Sequence, residues 1–165
     1  MTQVDQPGAD VTKVADLIKG AGRVAMLTTR APDGTFISRP MALQEVEFDG
    51  DLWFFAKQDS RKVAHVVADP QVNVGISSAD VWVSLTGTAQ VVTDGARKRE
   101  LWNGGIEAWF PEGPDSADIV LLQVEGDSAE YWDTPGGRVA TALSFAKAKV
   151  TGKPYSGGEN EKVEL

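Results

Sequence analysis

Short stretches in which apolar and polar residues alternate, separated by turn-forming residues, constrain the fold of this chain more than any other feature. Two of them, "QVNVGIS" (71–77) and "VWVSLTGTAQVV" (81–92), follow each other closely and are typical of paired β-strands. The whole pattern predicts six strands separated by turns, together with two or three helices. This predicts a mainly β fold, a mostly antiparallel barrel with helices packed at its edges.

Three segments have the spacing of apolar residues expected of helices. They start near Thr12, after the capping residue Ser60 and after the capping residue Asp94, and the third is interrupted at Gly104-Gly105. Two further turns shape the strands. "FISRPMALQEVEFDGDLWFFA" (36–56) predicts a pair of strands around an Asp49-Gly50 hairpin turn, and the last long strand is expected to bend near Gly126.

A chain of 165 residues suits one domain with a sizeable core. We expect a polar N-terminal arm at residues 1–11 and the barrel domain at residues 12–133. Residues 134–165 are expected to pack on this domain or to extend from it. They mix a helix, "RVATALSFAKAKV", with a Gly-rich charged tail.

Composition excludes several classes of function. The net charge of -8 argues against a broad nucleic-acid surface, and the absence of cysteine excludes disulfides and thiolate sites. "IVLLQV" (119–124) is too short to cross a bilayer, and the N-terminus lacks the features of a secretory signal. We therefore expect a cytoplasmic protein with no nucleic-acid or membrane partner, and with one histidine we expect no metal site.

Basic residues stand at an unusual place, the start of the second helix. Ser60 is a good N-cap, but Arg61 and Lys62 follow it where acidic residues normally suit the helix dipole. A bound phosphate would remove this conflict, whereas a solvated helix face would also explain the two charges. Arg39 lies in a predicted strand next to Pro40, which indicates an edge or a bulge, and an arginine there can bind phosphate with two hydrogen bonds.

The order of several motifs resembles one known family over roughly residues 12–133. The motifs are "LTTRAPDGTFISRPM", "DGDLWFFAKQDSRKVAHV", "VSLTGTAQVV", "RKRELWNGGIEAWFPEG" and "AEYWD". Together they resemble the pyridoxamine 5'-phosphate oxidase-like superfamily, and "WFP" and "YWD" are similar to its bacterial general stress protein branch. The resemblance implies an antiparallel split β-barrel homodimer that holds one flavin mononucleotide (FMN) in each of two clefts between the subunits.

The resemblance also implies a set of cofactor-binding residues. Those that match the phosphate-binding positions are Arg39, Ser60, Arg61 and Lys62. Those that match positions along the flavin ring or ribityl chain are Met41, Ala42, Leu43, Phe55 and Ala56. Trp109 is expected to approach the neighbouring subunit's flavin. The family usually has a hydroxyl residue where this chain has Ala56, so one hydrogen bond to the cofactor is missing.

The function implied is a flavin-dependent oxidoreductase that acts on a small redox substrate, with a role in the stress response as a further implication. No catalytic residue is identified, and the C-terminal residues of the true pyridoxamine 5'-phosphate oxidases have no match in "SGGENEKVEL". One alternative is a reductase of the same fold that uses the deazaflavin F420. The acidic tail of F420 would then be bound by Arg97, Lys98 and Arg99. Another is a protein that holds flavin or haem without turnover. His65 is expected to be a partly exposed helix residue.

Overall fold

The computed structural model describes residues 9–44, 46, 48–134, 147–152, 154 and 158–165. The strands in these residues are β1 (Val24–Arg30), β2 (Phe36–Ala42), β3 (Asp51–Lys57), β4 (Gln71–Ser77), β5 (Val81–Val92), β6 (Ile119–Asp133) and β7 (Glu159–Glu164). The helices are α1 (Ala9–Gly20), α2 (Arg61–Ala68), α3 (Gly95–Leu101) and α4 (Gly104–Trp109), and residues 147–151 are also helical. Helix α1 therefore begins inside the segment expected to be an arm.

All the strands described belong to one antiparallel sheet that does not close. The order is β2-β1-β4-β5-β6-β3, and β7 pairs with the second half of β6 beside β3. In the described part of the chain, β2 pairs with β1 alone and β3 with β6 alone, so both have an unpaired edge. The mainly β, antiparallel prediction is confirmed, and Pro40 lies on an edge strand as expected.

The predicted Asp49-Gly50 hairpin is wrong. A turn does form there, because Gly50 has a φ of 111° and the Asp49 carboxylate accepts a hydrogen bond from the Asp51 N–H. However, the strands on either side lie at opposite ends of the sheet order. Strand β3 pairs with β6 instead, whose first half is apolar on both faces like β3 itself. This match buries five consecutive residues of β3, which an isolated hairpin could not do.

The sheet has a main core on one face and a smaller cluster on the other. Alternate residues of the strands pack with α1 and α2 in the main core, which includes Leu27, Phe54 and Val74. The second cluster lies where α3 and α4 cover the other face of β3 and β6, and it includes Trp53 and Phe55. Strand β3 is therefore buried between two layers, which fixes the position of the chain that leads into α2.

The remaining predictions concern the later elements. The interruption of the third helix is confirmed, since Asn103 caps α4 by accepting from the N–H groups of Gly105 and Ile106. The register of β5 against β6 shifts where Gly87 pairs with Gly126, in agreement with the predicted bend. The charged tail was not expected to contain a strand, yet β7 pairs with β6 and buries Val163. Most of the helix predicted at 138–150 lies outside the described residues, and the domain boundaries stay predictions.

Candidate functional site

The candidate residues lie along the two unpaired edges of the open sheet. Strand β2 carries Arg39 and Met41 on its inner face, and β3 carries Phe55 and Ala56. Helix α2 begins just after β3 ends, so its first residues lie at the β3 side. The edges of β2 and β3 approach each other, and we call the gap between them the split. Residues that are far apart in sequence are thereby brought to one place.

One side of the Arg39 guanidinium is held by strand β1. Its Nη1 donates to the Leu27 carbonyl at 3.3 Å and to Thr29 Oγ1 at 2.7 Å. Nε and Nη2, which form the other edge of the planar group, have no hydrogen-bond partner among the residues described. This free edge has the geometry that binds a phosphate or carboxylate with two parallel hydrogen bonds.

Among the described residues, three cations at the split lack a counter-ion. Burial lowers the pKa of Arg39, and the nearby Arg61 charge lowers it further. Burial also lowers the pKa of Lys62, with the Arg39 charge as the second cause. In the described part of the chain, no carboxylate lies within ion-pair distance of Arg39, Arg61 or Lys62. Both shifts show that the charged forms are destabilised, so an anion bound here would be stabilising.

Ser60 supplies a further polar group at the same place. It occupies the N-cap position of α2 as predicted, with φ -74° and ψ 150°, but its side chain makes no capping hydrogen bond. Its Oγ is buried and has no hydrogen-bond partner within the described structure. A buried hydroxyl without a partner costs free energy. The first turn of α2 also has no acidic residue, so its N–H groups suit an anion from outside the helix.

His65 is buried, so the expectation of a partly exposed side chain is wrong. It is 7% exposed on the inner side of α2, and its Nδ1 lies 3.0 Å from Thr29 Oγ1. Thr29 was not among the predicted site residues. The signal was present in the sequence, since Thr29 follows Ala25 and Leu27 on the inner face of β1. A buried polar residue in an otherwise apolar series needs a hydrogen-bond partner.

The end of β2 is held by polar contacts on its far side. Met41 is buried, Ala42 is exposed and Leu43 is half-buried. The Gln44 side chain donates to the Ala42 carbonyl at 3.1 Å and accepts from Asn103 Nδ2 at 3.2 Å. The edge along which the resemblance places the flavin ring is therefore fixed by the connection between α3 and α4.

Phe55 and Ala56 point to opposite faces of β3. The Phe55 ring packs edge-on against Trp102 with centroids 5.3 Å apart and lies 6.4 Å from the Phe110 centroid. Ala56 belongs to the main core. Both side chains are buried, so the part of these residues that can reach a ligand in the split is the backbone of the unpaired edge.

Trp109 ends α4 near the second cluster, and its aromatic side chain is 78% exposed. The following turn is tied to β3, because Lys57 pairs with Glu112 and lies over the Phe110 ring. The structure thus places Trp109 close in sequence to residues that contact β3, but it shows no contact between Trp109 and the three cations.

The basic run on α3 already has partners. Arg97 lies over the Trp53 ring at 4.4 Å and pairs with Glu100. Lys98 is buried and donates to the carbonyls of Ser116 and Ile119, each at 3.0 Å. Arg99 pairs with Asp115 at 2.7 Å. Lys98 is therefore held inside the protein, whereas Arg97 and Arg99 make surface ion pairs, which are weak.

Three further observations concern a groove, metal ligands and membrane-spanning helices. A groove of about 870 Å³ lies between α1 and the residues that follow β2, Leu43, Gln44, Val46 and Phe48, and none of the three cations lines it. It therefore adjoins the end of β2 and not the three cations. Within the described residues there is no group of three or more His, Cys, Asp or Glu that could hold a metal ion. No helix among them is long and apolar enough to cross a membrane.

An open antiparallel sheet whose two edge strands approach each other at a split is the architecture of the split-barrel proteins. The family described as "Pyridoxamine 5'-phosphate oxidase like" matches residues 9–156, and the chain belongs to this family. Protein bli-3 of Neurospora crassa is 30% identical over 146 residues, which cover 81% of this chain and 70% of the fungal protein.

Two crystal structures are also similar to this chain. One, a protein provisionally named general stress protein 26 from Jannaschia sp. CCS1, is 27% identical with a TM-score of 0.77, covering 95% of this chain and 99% of that one. The other, the general stress FMN/FAD binding protein from Xanthomonas citri, is 30% identical with a TM-score of 0.63, covering 73% and 86%. These likenesses confirm the predicted family and split-barrel fold.

Proposed function

We propose that the chain is an FMN-binding protein and a flavin-dependent oxidoreductase. The observation that carries the proposal is the group of three cations, two of which directly follow a buried serine hydroxyl without a partner, with no carboxylate among the described residues to balance them. A phosphate monoester supplies two negative charges and several acceptor oxygens, which fit this group. The Xanthomonas citri relative, described as binding FMN or FAD, supports a flavin as the rest of the ligand.

The residues that would hold FMN divide into two sets. Arg39, Arg61, Lys62 and the Ser60 hydroxyl would bind the phosphate, and the first N–H groups of α2 would add to them. The edges of β2 and β3 would offer backbone groups to the ring, next to the apolar Met41. Bound FMN supplies hydride or electron transfer, and the protein binds and orients it and limits access of water.

Two other assignments, one of the cofactor and one of the substrate, have less support. An F420-dependent reaction would need free basic residues for the acidic tail, and Arg97, Lys98 and Arg99 are engaged by their own neighbours. Vitamin B6 oxidation has no support either, since the C-terminal residues of the true oxidases are not matched in this chain. FMN is therefore the cofactor we propose.

We also propose that the protein acts as a homodimer. On the sheet face opposite the main core, five large apolar side chains are 41% to 66% exposed. We call them the outer face: Val24, Met26, Phe36, Trp82 and Trp132. Exposed apolar groups on one sheet face are typical of a surface that another molecule covers. Ala42 also points to this side at the β2 edge, so a partner bound here would reach the split.

A role in the stress response and a cytoplasmic location stay predictions. A protein that holds flavin or haem without turnover is the remaining alternative. Reduction of the bound flavin by a nicotinamide donor, followed in anaerobic solution at the flavin absorbance maximum, would favour the enzyme. A flavin that no such donor reduces would favour the alternative.

The test of the proposed function is a comparison of FMN with riboflavin, which lacks the phosphate. At low salt FMN should bind more than about tenfold more tightly, because the phosphate makes charge-assisted bonds with several groups at once. The difference should narrow as salt screens the repulsion among the three cations. Equal affinity for the two ligands at low salt would overturn the assignment.

A further inference from the structure

A buried chain of hydrogen bonds links α2 to β2 through β1. Thr29 Oγ1 lies 3.0 Å from His65 Nδ1 and accepts a hydrogen bond from Arg39 Nη1 at 2.7 Å. Thr29 is fully buried and His65 is 7% exposed. Thr29 has no contact with solvent and His65 has very little, so these hydrogen bonds belong to the protein interior.

The direction of this chain follows from the protons available. Arginine can only donate, so Thr29 Oγ1 must accept from Arg39. The single proton of the threonine hydroxyl can then go to His65 Nδ1, provided that this nitrogen carries no proton. His65 is then neutral with its proton on Nε2. In the opposite direction the hydroxyl oxygen would accept from both Arg39 and His65, and the hydroxyl proton would have no acceptor in the described structure.

The two hydrogen bonds made by Nη1 determine which part of Arg39 is free. Because Nη1 is held by Thr29 and Leu27, the planar guanidinium cannot rotate without losing both bonds. The edge formed by Nε and Nη2 remains for a ligand. We propose that Thr29 and His65 are positioning residues, which hold Arg39 so that this edge binds the phosphate monoester. The proposal rests on the proposed function, and it adds two residues that would not touch the cofactor.

The first test uses a matched pair of variants at one position. Thr29→Val keeps the shape and removes the hydroxyl, whereas Thr29→Ser keeps the hydroxyl. Thr29→Val should lower FMN affinity about tenfold, the loss expected for one hydrogen bond to a charged group, with riboflavin affinity unchanged. Thr29→Ser should bind FMN as the wild type does. If Thr29 had a structural role alone, Thr29→Val would change the affinities for FMN and riboflavin equally.

The outcomes separate this inference from the proposed function. If the wild type prefers FMN to riboflavin and Thr29→Val keeps the whole preference, only the inference is overturned. If the wild type shows no preference, the proposed function fails and the inference fails with it. If Thr29→Val does not fold, His65→Leu and His65→Asn replace the pair, because asparagine Oδ1 can accept where Nδ1 does and leucine cannot.

The second test needs no flavin. The sequence contains one histidine, so nitrogen NMR of the ligand-free protein labelled at histidine gives one set of ring signals. The proposal expects a neutral ring protonated at Nε2, with Nδ1 shifted by the bond from Thr29. A ring protonated at Nδ1 would show that Thr29 does not donate to His65, and the proposal would be overturned.

Discussion

At the scale of single residues, Arg39 and Lys62 give the most direct test of the anion site. Arg39→Ala or Lys62→Ala each removes a charge-assisted bond to phosphate, worth about 1.5–3 kcal/mol. FMN affinity should therefore fall about tenfold to a hundredfold, measured by quenching of flavin fluorescence in a titration. Riboflavin affinity should stay at its wild-type value, which also shows that the variants remain folded.

Lys149→Ala is the matched control, because Lys149 is an exposed lysine on the helical segment at 147–151 and belongs to none of β2, β3 and α2. It removes the same charge from the chain and should leave FMN affinity unchanged. FMN binding of wild-type strength in both Arg39→Ala and Lys62→Ala would contradict the phosphate assignment.

A second residue-level prediction follows from the lowered pKa of Lys62, caused first by burial and then by Arg39. Below the pKa of Lys62 in the folded protein, this side chain is charged in both the folded and the unfolded protein. The folded protein then bears the whole cost of the partly buried charge. As pH rises from there towards the ordinary lysine pKa, the folded protein loses the proton first and this destabilisation is relieved. The ligand-free protein should therefore gain stability from this residue over the alkaline range.

The measurement compares thermal unfolding of the wild type with that of Lys62→Met at a series of pH values. The variant keeps the apolar stem but has no charge, so the difference between the two proteins should shrink as pH rises. A difference that is constant from neutral to alkaline pH would show that Lys62 is not destabilised in the fold.

Sequence reasoning identified the cations but could not describe their environment. The charges of Arg39 and Lys62 and the N-cap position of Ser60 are visible in the local sequence. The missing partner of Ser60 Oγ and the link from Thr29 to His65 depend on how α2 packs against β1. That packing joins residues 36 positions apart, so no local pattern contains it.

At the scale of elements, patterns within one strand or helix were reliable, and the choice of strand partner was not. The turn residues at Asp49-Gly50 predicted a turn correctly but not which strands it joins. Strand β7 was missed because "ENEKVE" buries Val163 alone and its other residues are exposed. Its position depends on pairing with β6, a contact between residues about 30 positions apart in sequence.

The bulge between β5 and β6 gives a prediction for an element. Gly87 is buried opposite Gly126, and a Cβ added there would overlap the Glu125 carbonyl oxygen and lie 3.1 Å from Val124 Cγ1. Since the obstacle is backbone, it cannot move without disturbing the pairing. Gly87→Ala should lower the free energy of unfolding by about 1–3 kcal/mol in a urea titration.

Gly20→Ala is the control for this substitution. Gly20 ends α1, and an added Cβ would meet nothing within 4 Å. This variant should match the wild type or be slightly more stable. If Gly87→Ala unfolds at the same urea concentration as Gly20→Ala, the close approach of the two strands at the bulge is contradicted.

At the scale of the whole molecule, the two faces of the sheet differ in how far they are covered. The inner face is covered by α1 and α2, whereas the outer face exposes Trp82 and Trp132, which are directly paired across β5 and β6. Burial of such rings supplies much of the free energy of an interface. Because β2 belongs both to this sheet and to the split, a second copy bound here would complete the cleft.

The last prediction tests this arrangement with a single charge. Trp132→Glu places a carboxylate on the outer face, and burying it against a partner would be costly, so the dimer that we propose should dissociate to a monomer. Light scattering at micromolar concentration measures the change in mass. Val150→Glu is the control, since Val150 is 86% exposed on the segment at 147–151 and its variant should remain dimeric. A monomeric wild type, or a Trp132→Glu variant that dimerises as the wild type does, would show that the outer face is not the interface.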